Sequence, residues 1–176
     1  MGRYGADLTF LRPFFTFRYD EGDWRTRPCA LQVWSTVDGA LASTVEIDQN
    51  AHGICAIAVA GENTAWTVYL ALAFNKTIKA WSVTRTDGAA TALLAFEQQA
   101  ALVGHNGLVK ALVTAIDGRR LVSGSNDNTL RVWDTVAKTC IGVLLWKCGY
   151  DTLSLAITPD GTQLCSGDRA GYVYVW

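Results

Sequence analysis

The chain has 176 residues, half of them hydrophobic and 18% charged, with a formal net charge of −1. That balance belongs to a globular chain able to bury a core; it excludes the disordered class and disfavours long-range attraction to nucleic acid or an anionic membrane. Five cysteines without a C-x-x-C pair, with only His52 and His105 beside them, offer no zinc spacing. No metal or other cofactor is therefore expected, and the thiols are read as buried and reduced.

In chain order, residues 1–28 are read as an N-terminal segment that fits no repeat position well. Arg12 and Pro13 interrupt any signal-peptide core, and Ala6 stands where a myristoylation signal wants Ser or Thr. Phe10, Phe14, Phe15, Phe17 and Tyr19 interleave with Arg12 and Arg18. Some single-strand binders stack bases on such a surface, but alternation in a half-buried strand explains the pattern more simply. Asp20-Glu21-Gly22-Asp23 lacks the alternating ligands of a calcium loop and is read as solvated.

From residue 29 to the end, a tryptophan closes one short apolar run after another: LQVW at Trp34, IKAW at Trp81, LRVW at Trp133 and VYVW at Trp176. A recurrence of roughly 40–50 residues signals a repeat architecture, in which no unit can bury its faces alone. The pattern is clearest in 104–134. Leu108–Thr114 is a predicted strand, Asp117-Gly118 marks a turn, Leu121–Ser125 is a second strand, and Thr129–Trp133 follows a tight turn at Asn126-Asp127-Asn128. A fourth strand is expected over Thr139–Leu144, which completes an antiparallel meander. Shifting the register by 43 residues lays Asp160-Gly161 and Ser166-Gly167 on Asp117-Gly118 and Ser123-Gly124. Shifting it the other way lays Asn75–Trp81 on Asp127–Trp133, with strands at Ile54–Val59 and Trp66–Ala73; another is expected at Leu41–Ile47. Residues 89–103 are rich in helix formers, yet the register wants a strand there, and strand is preferred over a helical insertion. No stretch approaches the ~18 apolar residues of a membrane span.

Gly104-His105, Ser123-Gly124 and Trp133-Asp134 together resemble the WD-repeat β-propeller family, from roughly Ala30 to the end. The resemblance implies an all-β fold of about four blades of four-stranded antiparallel sheet, an incomplete ring against the family's usual ring of about seven. A piece of a longer product, with missing blades to complete the ring, is favoured over an arc that closes by pairing with another chain. It also implies a buried hydrogen-bond chain through His105, Ser123, Asp127 and Trp133. The preceding repeat keeps His52 and Trp81 but has Ala71 and Asn75 in place of Ser and Asp. The last keeps Ser166 and Trp176, has Cys148 and Ala170 in place of His and Asp, and offers Asp168 as a substitute two residues upstream.

His105, Ser123 and Asp127 also have the composition of a hydrolase triad, but a nucleophile needs an exposed hydroxyl and a mobile base, and the register buries both. No catalytic residue is expected. Asn75-Lys76-Thr77 is a glycosylation sequon by pattern and is read as coincidence in a strand turn. What the resemblance implies is a non-catalytic scaffold for other proteins, inside the cell, in cytoplasm or nucleus. Its partner-facing positions by register are Phe74, Asn106, Asn126, Tyr150 and Arg169. The competing readings are an RNA-associated propeller, on a resemblance to plant-type propellers that follow a Cys/His zinc finger, and an enzyme.

Overall fold

The computed structural model describes residues 14–18, 29–34, 41–48, 53–62, 65–86, 93–145 and 151–176. Four antiparallel sheets follow one another along the chain. The first holds β1 (Phe14–Arg18), β2 (Cys29–Trp34) and β3 (Leu41–Asp48), in that spatial order. The second holds β4 (Ile54–Glu62), β5 (Ala65–Leu72), β6 (Ile78–Thr86) and β7 (Leu93–Leu102). The third holds β8 (Val109–Thr114), β9 (Arg120–Ser125), β10 (Thr129–Asp134) and β11 (Thr139–Leu145). The fourth holds β12 (Thr152–Ile157), β13 (Leu164–Asp168) and β14 (Val173–Val175). Every neighbour in space is a neighbour in sequence, so each sheet is a meander of hairpins, the unit of a propeller blade.

Four-stranded blades were expected throughout. The two inner sheets have four strands, while the first and last have three among the described residues. Part of the N-terminal segment belongs to this plan: β1 pairs with β2, Phe14 opposite Trp34 and Arg18 opposite Ala30. The helix-rich composition of 89–103 is overridden, because β7 pairs along β6 from Ile78↔Leu102 to Thr86↔Leu93. A register shift between Ile78 and Ala80 lets the outer strand absorb extra residues there. Among the described residues there is no helix, and none long and apolar enough to cross a membrane.

The sheets pack face to face, and the burial of β5 shows why its sequence is almost continuously apolar. Val68, Leu70 and Leu72 meet Leu31 and Ile47 of the first sheet. Tyr69 and Ala71 point the other way, to Val109, Leu112, Leu121 and Trp133 of the third. A strand covered on both faces needs apolar residues at every position rather than at alternate ones. A third core joins Val122 and Leu130 to Leu164, with Leu155, Ile157 and Tyr174 beside it. Gly124 makes that last contact close: a Cβ there would lie 2.5 Å from Cγ2 of Thr152. Gly118 serves its turn differently, with φ at 65°, where an L side chain is strained.

The cysteine reading needs a correction. Cys55, Cys140 and Cys165 are free but only half-buried; Cys55 and Cys140 lie at the margin of the core between the second and third sheets rather than inside it.

Candidate functional site

The third sheet brings His105, Ser123, Asp127 and Trp133 together. His105 precedes β8, Ser123 lies in β9, Asp127 sits in the β9–β10 turn, and Trp133 is near the end of β10. The imidazole Nδ1 is 2.8 Å from Oδ2 of Asp127, and Nε2 is 2.7 Å from the hydroxyl of Ser123. The indole N–H of Trp133 donates to the same hydroxyl oxygen at 2.8 Å. The bonding assigns the tautomer: Nδ1–H donates to the carboxylate, and Nε2 accepts from Ser123. Burial pushes the His105 pKa down, against the hydrogen bond and charge of Asp127, so the ring is neutral near pH 7.

Asp127 is held more firmly than the sequence suggested. Burial would raise its pKa, but the Thr129 hydroxyl, the backbone N–H of Asn106 and His105 outweigh that and hold it at about 2. Oδ1 accepts from the N–H and hydroxyl of Thr129, and Oδ2 from the N–H of Asn106. Ser125 closes the turn by accepting from the N–H of Asp127 at 3.2 Å. Thr129 was not singled out from the sequence, although the spacing signals it: Asn75 accepts from the N–H and hydroxyl of Thr77 in the same way. That bonding occupies the side chain of the apparent glycosylation asparagine. Asp134 was also missed as a cap; it accepts from the N–H groups of Val136 and Ala137. The loop it shapes brings Lys138 over the ring of Tyr69, 5.5 Å from its centroid.

The neighbouring sheets keep parts of this chain. In the second, the strand register corrects the expectation by one residue: Trp81 pairs with Val68 as Trp133 pairs with Leu121, so Leu70 and not Ala71 stands at the serine position, and the indole N–H of Trp81 is buried without a partner. In the fourth, the indole N–H of Trp176 donates to Ser166 at 2.8 Å. Asp168 there takes over the turn: its Oδ1 accepts from the N–H groups of Ala170 and Tyr172, while its Oδ2 is buried and unbonded. The four repeat tryptophans are therefore not equivalent. Trp133 is 1% exposed and Trp176 40%, while Trp34 and Trp81 lie between. His52, Cys148 and Tyr150, with the Asp20–Asp23 cluster, lie outside the described residues.

Ser123 is fully buried and its hydroxyl is engaged on both sides, an arrangement that braces the sheet and presents no nucleophile to solvent. No group of three or more His, Cys, Asp or Glu side chains able to hold a metal occurs among the described residues. The remaining predicted positions share one edge. Phe74 ends the β5 side of the β5–β6 turn, Asn126 opens the β9–β10 turn, Arg169 opens the β13–β14 turn, and Asn106 precedes β8. Register makes Asn126 and Arg169 equivalent: their N–H groups bond the carbonyls of Leu108 and Asp151. Phe74 is 70% exposed and sits at φ 61°.

Successive antiparallel meanders packed face to face, two of them four-stranded among the described residues and one braced by a His–Ser–Asp–Trp chain, define a partial β-propeller of the repeat type. The family model for the WD domain, G-beta repeat, matches residues 96–134 and 139–176, so these two stretches are similar to WD repeats. It is similar to the Periodic tryptophan protein 2 homolog of Schizosaccharomyces pombe, 39% identical over 75 residues, which are 43% of this chain and 9% of that protein. It is 38% identical over 74 residues to the Pre-mRNA-splicing factor cwf17 of the same yeast, covering 42% of this chain and 21% of that protein. To WD repeat-containing protein 18 of Danio rerio it is 53% identical over 38 residues, 22% of this chain and 9% of the relative. The matched stretch spans less than a quarter of the length of each of these relatives.

Proposed function

We propose that the chain is a non-catalytic scaffold that holds partner proteins on the edge carrying Phe74, Asn106, Asn126 and Arg169, with Tyr150 assigned to it by register. Phe74 carries the reading. Its ring is 70% exposed on a backbone conformation that favours glycine, a costly placement for an aromatic side chain and one that suits a partner-facing role. Exposed aromatic and Arg side chains are the usual anchors of protein interfaces. The test is affinity purification with the full chain, its Phe74→Ala variant and a Val136→Ala control at the other end of the sheets. Partners retained by the control and lost by Phe74→Ala support the reading, and identical partner sets for all three overturn it.

Further blades or another copy of the chain would meet the arc at the outer face of the fourth sheet. Val173 there is 73% exposed, whereas its register equivalent Leu130 is 0% exposed beneath β12 and β13. A sharp monomer in light scattering at micromolar concentration would count against association through this face.

A second reading, an RNA-associated role inside the cell, is favoured by two relatives whose names are those of a splicing factor and of Ribosome biogenesis protein erb1. With a net charge of −1, the route to RNA runs through bound proteins rather than direct phosphate contact. A direct binder would show a labelled-RNA shift that weakens steeply between about 50 and 200 mM salt; the scaffold shows none.

A further inference from the structure

We infer a binding site for a small monovalent cation of the sodium class at the seam between the third and fourth sheets, held by Asn126, Thr152 and Asp168. Six buried side-chain nitrogen or oxygen atoms have no hydrogen-bond partner among the described residues, and the three oxygens among them are Oδ1 of Asn126, Oγ1 of Thr152 and Oδ2 of Asp168. Thr152 is 0% exposed and Asp168 6%. Buried oxygens are seldom left bare, because each gives up its hydration without return. The fold brings these three to one place. Thr152 in β12 is the register partner of Asp168 in β13, and side chains so opposed share a face, with Cβ atoms about 4.5–5.5 Å apart. That face looks toward the third sheet, since Cγ2 of Thr152 lies 2.5 Å from where a Cβ on Gly124 would stand. Asn126 comes two residues after Gly124, and its N–H still bonds the carbonyl of Leu108 across the ladder. Alternation along the extended strand therefore turns its side chain to the Gly124 side, toward Thr152.

The donor set chooses the ligand. A carboxylate, an amide carbonyl and a hydroxyl are all hard oxygen donors, which suit hard cations and not the softer transition metals. The carboxylate brings one negative charge, and its other oxygen, Oδ1, accepts only from the neutral N–H groups of Ala170 and Tyr172. In the third sheet the Oδ2 of Asp127 has the imidazole of His105 beside it. The fourth sheet has no histidine to play that part, the chain's only other one being His52. Arg169 and Asp151, each one residue along, alternate to the opposite face, and their opposite charges cancel there. A buried charge is costly unless it is paired, and a single carboxylate balances a monovalent ion. Calcium sites draw on more carboxylates than one. The ion ties the two sheets together at their Asn126 and Arg169 turns, whether or not partners dock on that edge.

The experiment is thermal melting of the full chain at equal ionic strength, about 150 mM, in sodium chloride and in choline chloride, whose cation is too bulky to be buried. Sodium should raise the melting temperature by ~2–4 °C over choline. Asp168→Asn should abolish that difference and Asn126→Ala should shrink it. Glu97→Gln, which alters an exposed carboxylate on β7, should leave it unchanged. The parent chain should also broaden the sodium NMR signal, and Asp168→Asn should not. Equal melting in the two salts would leave the three oxygens to water and overturn the site. A difference that persists in Asp168→Asn, or a larger response to about 1 mM calcium than to sodium, would overturn it as well. Should Asp168→Asn fail to fold, Asn126→Ala decides, and an undiminished sodium response there rules the site out.

Discussion

The second and third sheets share strand number, strand order and a tryptophan at the same place, yet differ in what that tryptophan's N–H meets. In the third it meets Ser123, which passes the bond to His105 and Asp127. In the second, Leu70 stands at the serine position and leaves the N–H of Trp81 buried and bare. Both sheets nevertheless stand as four-stranded meanders with apolar cores on their faces. The wedge-like packing of apolar side chains therefore sets the architecture, and the polar chain adds rigidity to a sheet already formed. Leaving one indole N–H unpaired costs about 1–3 kcal/mol, which packing of this extent absorbs.

If that ordering is right, removing a wedge costs more than removing a brace. Trp133→Ala should destabilise by about 3–5 kcal/mol, the usual range for deleting a buried aromatic, and urea denaturation measures it. Trp176→Ala should cost clearly less, since that ring is 40% exposed. Equal losses would show that the tryptophans do not act through burial. Ser123→Ala comes next. It leaves the indole N–H as bare as in the second sheet by stripping the partner from Trp133 and from Nε2 of His105. About 1–3 kcal/mol should be lost with strand content unchanged in far-ultraviolet dichroism.

A smaller, pH-dependent effect separates the carboxylate from the rest. The Asp127 pKa falls from 3.8 to about 2 in the folded protein. Its contribution is therefore fully present above pH 3.8 and is lost as pH falls toward 2. His105 acts in the same direction: its folded pKa lies below 6.5, so the unfolded chain binds the proton first and acid weakens the fold. The melting temperature should drift down below pH 6.5 and drop more steeply between about 4 and 2. In Asp127→Asn the steep part should shrink, leaving the gentler histidine drift and the share of Asp134 and Asp160, whose pKa values are also lowered by hydrogen bonds. A profile identical to that of the parent would remove Asp127 from the account.

Legibility followed the same division. The repeating tryptophans and the Asp-Gly turns marked strand ends well, because wedge residues and left-handed turn positions tolerate few residue types. The composition of 89–103 misled, since Ala, Glu and Gln express an intrinsic preference that pairing along β6 overrides. Asp168 was readable only as a neighbour of the expected position. Its role, holding the N–H groups of Ala170 and Tyr172, depends on where the turn points its backbone, which spacing alone does not state.

The gentlest expected effect is a difference between two variants. Trp81→Phe and Trp133→Phe each trade an indole for a smaller ring, but only the second removes a hydrogen bond, the one from the indole N–H to Ser123. Trp133→Phe should therefore cost about 0.5–1.5 kcal/mol more than Trp81→Phe, a gap that urea denaturation of the two variants reads. Ala71 offers no route to close it, because that side chain lies in the core shared with the third sheet while Trp81 packs in the core shared with the first. Equal losses would mean that the bond to Ser123 adds nothing to the third sheet, and the comparison between the two would then reach no further than their strands.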